Sequence, residues 1–285
     1  MKTKILVALH KPYSLPGDSL YVPLRMGAAG KPPLFRRGNE VVAEAGPATP
    51  IEGDDGGENI SVKNTGYSEL TGLYYAWKNW TDCDAVGLVH YRRYFGRPFP
   101  NAGGAPAGSG PFSRVLTTAD AEKLLERADI LVPVKRYYVI ESLFTHYANT
   151  HDSRHLIEAR SIVADRFPDY IPAVDEAYSN RWGYMFNMAV MKRSALESYC
   201  SFLFPVLAEL EGRLSGTDAA YEGDPFAARL YGRVSEILFN AWLLKHKEYR
   251  VVELPLVNIE RVNWIKKGTA FLSAHFFRKK YKKSF

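Results

Sequence analysis

The apolar run Val86-Gly87-Leu88-Val89 breaks without transition into His90-Tyr91-Arg92-Arg93-Tyr94. A short apolar run without polar alternation reads as a strand buried on both faces, which requires a sheet covered by helices on both sides. The motif then puts an imidazole and two guanidiniums at the carboxyl end of that strand, where open α/β sheets hold their ligands. Paired arginines there suit a doubly charged, multidentate anion such as a diphosphate. They suit structural salt bridges equally well, and the local sequence leaves both readings open.

The rest of the chain fits an α/β sheet. Strand patterns at 4–9, 85–90, 129–133, 184–192 and 249–257 alternate with helical ones. A helix is predicted over 67–79, with Leu70, Leu73, Tyr74 and Trp77 on one face. Another begins at Ser194 in a capping box with Glu197, its buried stripe formed by Leu196, Tyr199, Cys200, Leu203, Leu207 and Leu210. Asp152 reads as the N-cap of a helix through Phe167, and 234–245 as a further helix with Leu238, Ala241 and Trp242 on its apolar face. With 285 residues, 46% of them apolar, the chain accommodates one large α/β domain or two smaller ones. The reading adopted is a single domain over 1–270, a flexible loop over 96–113, and an aromatic, basic tail over 271–285. The Gly/Pro-rich stretches at 27–57 and 96–111 resist assignment, and the second is either a flap over the site or a passive insert.

Net charge is +6, concentrated in the tail segment Arg278-Lys279-Lys280-Tyr281-Lys282-Lys283. Such a tail can lie on an anionic membrane surface or simply be solvated. No nucleic-acid-binding motif accompanies the charge, so nucleic acid is not an expected partner. Cys83 and Cys200 have neither paired nor metal-ligand spacing, which fits a reducing cytosol, and the N-terminus reads as a first strand rather than a signal peptide. No stretch has the roughly 18 apolar residues of a membrane span. The expected location is cytoplasmic, with peripheral contact at an anionic membrane surface through the tail.

Three further clusters could carry chemistry. The stretch 54–64 is dense in polar side chains, and Asn59, Ser61, Lys63 and Asn64 could bind hydroxyls and phosphate oxygens or simply build a turn. Arg229-Leu230-Tyr231-Gly232-Arg233-Val234-Ser235-Glu236 puts Glu236 in the first turn of a helix, as a capping residue or as an ionised base held by the macrodipole. His151 and His155 have i, i+4 spacing, but no HExxH glutamate and no third ligand nearby, so a helix-end role for His151 is favoured over a metal. A P-loop, a GxGxxG and a GxSxG are absent, which argues against P-loop NTPases, dinucleotide enzymes and serine hydrolases.

Taken together, the motifs at 59–64, 67–79 and 86–95 resemble the domain of unknown function 4422 family of bacterial capsule and exopolysaccharide clusters. The likeness continues through His10-Lys11, 21–27, Asn187-Met188, 203–207 and 232–236. It implies a GT-A-like, nucleotide-sugar-binding α/β fold, a mixed sheet flanked by helices. The implied activity is a glycosyltransferase that passes a hexose, galactofuranose in at least one branch of the family, with inversion from a nucleotide-diphosphate sugar (UDP-sugar favoured) to a glycan or lipid-linked glycan acceptor. A non-catalytic glycan-binding or scaffold protein of the same machinery is the alternative. The resemblance assigns donor binding to His10, Lys11, Asn59, Ser61, Lys63, Asn64, His90, Tyr91, Arg92 and Arg93. It assigns acceptor or sugar contacts to Asn187, Arg233 and His151, and the base to Glu236. Two departures stand out: Ile237 where the family often has arginine, and the long Gly/Pro-rich insert after Phe95. GT-A enzymes normally end this strand with an Asp-x-Asp pair holding Mn or Mg, whereas this chain has His90-Tyr91-Arg92, with Asp82 and Asp84 at the other end. No metal ligands are therefore assigned, a divalent metal (Mn or Mg) bound elsewhere stays open, and Arg92 or Arg93 is expected to pair directly with the diphosphate.

Overall fold

A computed structural model describes residues 1–98, 110–220, 224 and 227–260. The expected tail, the end of the expected domain and most of the 96–113 loop lie outside the described residues. The apolar run is indeed a strand, and it belongs to a nine-stranded mixed sheet. The strands are β1 (Thr3–Leu9), β2 (Tyr21–Arg25), β3 (Glu52–Gly53), β4 (Ala85–His90), β5 (Arg93–Phe95), β6 (Ile130–Pro133), β7 (Val190–Lys192), β8 (Val251–Leu254) and β9 (Leu256–Asn258). Their order is β8-β6-β7-β4-β1-β2-β3, with β5 joining β4 to β9. β1 lies between β2 and β4, parallel to both, so that Ile5 is level with Tyr21 and Gly87, and Leu9 with Arg25. Ile5, Leu6, Val7 and Leu9 are fully buried, as a strand covered on both faces demands. Gly87 is needed there: a Cβ would lie 2.8 Å from Ile5 Cγ1 and 2.9 Å from Val190 Cγ2.

The helices are α1 (Leu70–Asn79), α2 (Thr118–Leu125), α3 (Leu143–Thr150), α4 (Arg154–Arg166), α5 (Ile171–Ser179), α6 (Arg193–Leu214) and α7 (Leu230–Lys245). Two compact units divide the chain. One holds Met1–Val134, Asn187–Cys200 and Glu248–Glu260, and therefore the whole main sheet. The other holds the described residues of Lys135–Phe186 and Ser201–Lys247. Within the first unit, Trp77 Nε1 on α1 donates to Glu197 Oε2 at 2.7 Å, and Arg193 donates to the Trp77 and Trp80 carbonyls. Among the described residues no helix is long and apolar enough to cross a membrane. Cys83 and Cys200 are buried and unpaired.

Several expected boundaries shift for local reasons. The predicted 184–192 strand shrinks to β7, because Phe186 and Asn187 adopt φ of 78° and 52° and the Tyr184 backbone is bound by the Asn240 amide instead. The 249–257 strand divides at Pro255, which lacks an N–H; its carbonyl accepts from Gly96 N at 2.6 Å. The 67–79 helix is interrupted at Ser68, whose φ is 54°. α6 starts one residue before Ser194, Glu197 accepts from Trp77 Nε1, and the six predicted stripe residues are all buried.

The tightest polar node of the sheet unit is Asp54, whose side chain is wholly enclosed. Its carboxylate accepts from Gly27 N and Ala28 N at 2.9 Å each, and from Ser61 Oγ and Thr71 Oγ1 at 2.5 Å each. It thereby ties the loop after β2 to the Ser61–Lys63 turn and to α1. A buried carboxylate is tolerated only when its lone pairs are filled in this way, and its loss orphans several donors together. Asp54→Ala should therefore cost at least about 3 kcal/mol in chemical denaturation, whereas Asp55→Ala, on the exposed neighbour, should stay within about 0.5 kcal/mol.

Candidate active site

At the carboxyl ends of β1 and β4 the chain exposes His10, Lys11 and Arg92 around the ring of Tyr91. His10 and Tyr13 meet that ring edge-on at centroid distances of 5.4 and 4.8 Å. Lys11 Nζ lies 5.4 Å and Arg92 Cζ 5.2 Å from its centroid. The negative ring face lets two cations stand close together, each such contact being worth about 0.5–1 kcal/mol when exposed. The counter-charge is Glu260, which accepts from Tyr13 Oη at 2.9 Å and from Arg92 Nη1 at 3.2 Å. Burial and the Glu260 carboxylate push the Tyr13 phenol up to about 12. Burial would raise Glu260, but the bonds from Tyr13 and Arg92 outweigh it and hold its carboxyl below the usual range. Arg92 and Glu260 are 46% and 48% exposed, so their pair contributes about 0–1 kcal/mol and a polyanion can displace it.

The two arginines of the opening motif separate. Arg92 belongs to this cationic cluster, while Arg93 starts β5 and donates from Nε to Asn258 Oδ1 at 3.3 Å across the β5–β9 pair. His90 is level with Ala8, which in turn is level with Leu24. A Cβ on Gly72 of α1 would lie 3.2 Å from Leu24 Cδ2, so that face of the sheet is the one α1 covers.

Of the 59–64 stretch, three side chains are committed to the scaffold. Asn59 Nδ2 donates to the carbonyls of Asp55, Gly56 and Gly57, and its Oδ1 accepts from Ser61 N. Ser61 Oγ donates to Asp54 and accepts from Ala29 N. Asn64 Nδ2 donates to Ser68 O at 2.8 Å and Thr71 Oγ1 at 3.1 Å. Lys63 is half-buried with Nζ 5.7 Å above the Tyr67 ring. Asn187, on its left-handed backbone, donates from Nδ2 to Glu69 Oε1 at 2.7 Å.

The residues at the end of β4 do not fit a divalent cation. Mn and Mg take oxygen ligands, above all carboxylates, and here stand an imidazole, a phenol and guanidiniums. Asp82 pairs with Lys2 and with Lys4 at 2.8 Å, and Asp84 accepts from Lys2 N at 2.7 Å, both before the amino end of β4. Among the described residues no three His, Cys, Asp or Glu side chains are grouped to hold a metal.

In the second unit, α7 begins at Leu230, so Glu236 lies in its second turn and not, as expected, in the first. The macrodipole argument for its ionisation therefore falls. Glu236 and Arg233 are i, i+3 neighbours on one side of α7. Burial disfavours the Arg233 charge, whereas Tyr147 and Glu236 favour it. Tyr147 also meets the His151 ring edge-on at 5.1 Å, so Arg233 and His151 are both its neighbours. The i, i+4 histidines are not a ligand pair. His151 caps α3, its N–H donating to Tyr147 O, while His155 is buried between Ala219 O and Tyr147 Oη at 2.8 Å each. Since the carbonyl only accepts, His155 Nε2 carries the proton and Nδ1 accepts from the tyrosine hydroxyl in the neutral ring.

Sequence reasoning missed Tyr13 and Glu260 as members of this cluster. Tyr13 follows Lys11 by two residues and could have been found as an aromatic just past β1. Glu260 carries no local signal.

A family model described as a domain of unknown function (DUF4422) matches residues 4–247. The structure described as "WbbM bifunctional glycosytransferase apo structure" is 28% identical and superposes with a TM-score of 0.77, over 92% of this chain and 46% of that one. The chain thus spans about half the length of that protein, and its mixed sheet flanked by helices is GT-A-like. No curated protein matches.

Burial lowers the His155 pKa, against the opposing bond to Ala219 O; the unfolded chain takes up a proton near pH 6.5 that the folded chain refuses. Stability is then fully present above that pH and falls as the pH drops through it. His146, lowered by burial against the pull of Glu141, acts with the same sign. Denaturation midpoints should be flat above pH 7 and decline toward pH 5.5, with a shallower decline in His155→Gln.

Proposed function

The chain belongs to the domain of unknown function 4422 family, and from that premise we propose that it is a glycosyltransferase acting on a nucleotide-diphosphate sugar. The observation that carries the reading is the cationic cluster of His10, Lys11 and Arg92 around Tyr91, at the carboxyl ends of two parallel strands. That is where an α/β sheet takes a polyanion. The similar structure's own description as a glycosyltransferase supports the same class.

In the proposed reaction Arg92 exchanges Glu260 for the donor diphosphate and, with Lys11, carries the charge that develops as the bond from the anomeric carbon to phosphate breaks. An acceptor hydroxyl attacks that carbon from the opposite face, and Glu236 takes its proton, with Arg233, His151 and Asn187 orienting sugar or acceptor. The donor is a UDP-sugar carrying a hexose, with galactofuranose as the candidate sugar, and the acceptor is a growing, lipid-linked surface glycan. The basic tail brings the enzyme to the inner face of the bacterial membrane. The residues at the end of β4 do not suit a metal, so the cations themselves carry the charge of the diphosphate.

UDP release from UDP-hexoses tests this. Arg92→Gln should weaken UDP binding about tenfold, the worth of a charge-assisted contact. Glu236→Gln should bind UDP normally but lose turnover by ~10²–10⁴-fold, as loss of a general base does. UDP binding without release from any nucleotide sugar would instead favour a glycan-binding or scaffold protein. Activity that vanishes in EDTA and returns with Mn or Mg would defeat the metal-free form of the mechanism.

A further inference from the structure

We propose that Arg25 is an anion-binding residue of the donor site, held unpaired inside the protein until a diphosphate completes it. The inference rests on the donor reading above and adds to it a residue outside the His90-Tyr91-Arg92 motif.

Arg25 ends β2 and is only 8% exposed, yet its Nε and Nη1 have no hydrogen-bond partner. A buried charge without a partner is strongly unfavourable, so a protein that keeps one has a use for it. The carboxylate adjacent in the fold does not serve it. Asp54 N donates to Arg25 O, but the Asp54 side chain is filled by four neutral donors from the loop after β2, the Ser61–Lys63 turn and α1.

Register places Arg25 at the ligand edge. It is level with Leu9 on β1, the residue before His10, and Ala8 is level with His90, the residue before Tyr91. Arg25 is thus two strand spacings, about 10 Å, from the Tyr91 level, a span that a nucleoside diphosphate bridges. Strand alternation puts Arg25 on the face of β2 that bears Tyr21, opposite to Leu24 and the α1 side. On that face Tyr21 packs edge-on against Tyr94 at 5.4 Å, and the Tyr94 hydroxyl is a second buried polar group without a partner. Among the described residues Thr3 Oγ1, at the amino end of β1, and Asn180 Nδ2, in the second unit, also lack partners. Of these groups Arg25 is the one that carries a full charge and stands at the carboxyl end of a parallel strand, which points to an acceptor-rich ligand.

The test uses Arg25→Met and Arg25→Lys in the full chain, with UDP and inorganic diphosphate as probes. Calorimetry gives the dissociation constants, and melting is followed without and with UDP. For Arg25→Met the expectation is a ligand-free melting temperature equal to or a few degrees above that of the unaltered protein, since an uncompensated charge is removed. UDP should bind at least about tenfold more weakly and the UDP-induced rise in melting temperature should shrink. Arg25→Lys, which keeps the charge but not the fork, should fall between. A lowered ligand-free melting temperature, or an Arg25→Met chain that does not fold, would show a structural arginine and overturn the proposal, as would unchanged UDP affinity. If the unaltered protein binds inorganic diphosphate but not UDP, and Arg25→Met loses that binding, the nucleotide-sugar reading fails while the anion site stands. Binding of neither probe overturns both.

Discussion

The enclosed carboxylate of Asp54 is the constraint on which the ligand edge of the sheet depends. It accepts from backbone on one side and from hydroxyls on two other segments, so one residue fixes where β2 stops, where the polar turn sits and where α1 starts. Four neutral donors stabilise the charge without a cation, which is how a buried ion avoids its desolvation penalty when no salt bridge is made. Arg25, two residues before that shell begins, is therefore not the counter-ion of Asp54.

The cluster at Tyr91 solves a related problem by another route. Positive charge is concentrated here, and like charges repel. Lys11 and Arg92 stand over the Tyr91 ring and His10 and Tyr13 pack against it at steep angles, while Glu260 provides a weak, solvent-screened counter-charge. A pair that is half exposed on both sides breaks readily, so Arg92 can be freed at little cost.

The frame of this architecture was legible in the chain because it rests on periodicity. β4 occupies the residues its apolar run marked, and the α6 stripe from Leu196 to Leu210 is buried throughout. Punctuation by backbone conformation was less legible. Asn187 tolerates the left-handed region, but nothing in Phe186 announces that it shares it, and Gly232, a poor helix former, hid the first turn of α7 and so misplaced Glu236. Polar turns were ambiguous for a different reason. Asn59, Ser61 and Asn64 would look the same whether they bound a ligand or their own backbone, and the hydrogen bonds that decide it come partly from residues on other elements. Arg25 was least legible of all, since isolation from carboxylates is a property of three-dimensional surroundings and has no sequence pattern.

The closure of β5 by β9 bears on how the protein is made. Arg93 and Asn258 are 165 residues apart, and β9 exists as a separate strand because Pro255 ends β8. Most of the sheet can pair as it leaves the ribosome, but the arm that carries the second arginine closes only after residue 258 has emerged. Such a distant pairing is slow to find, because the loop-closure entropy must be met before the contact returns anything. The nascent chain therefore passes through a long interval with its sheet largely built and the β5 arm still unpaired.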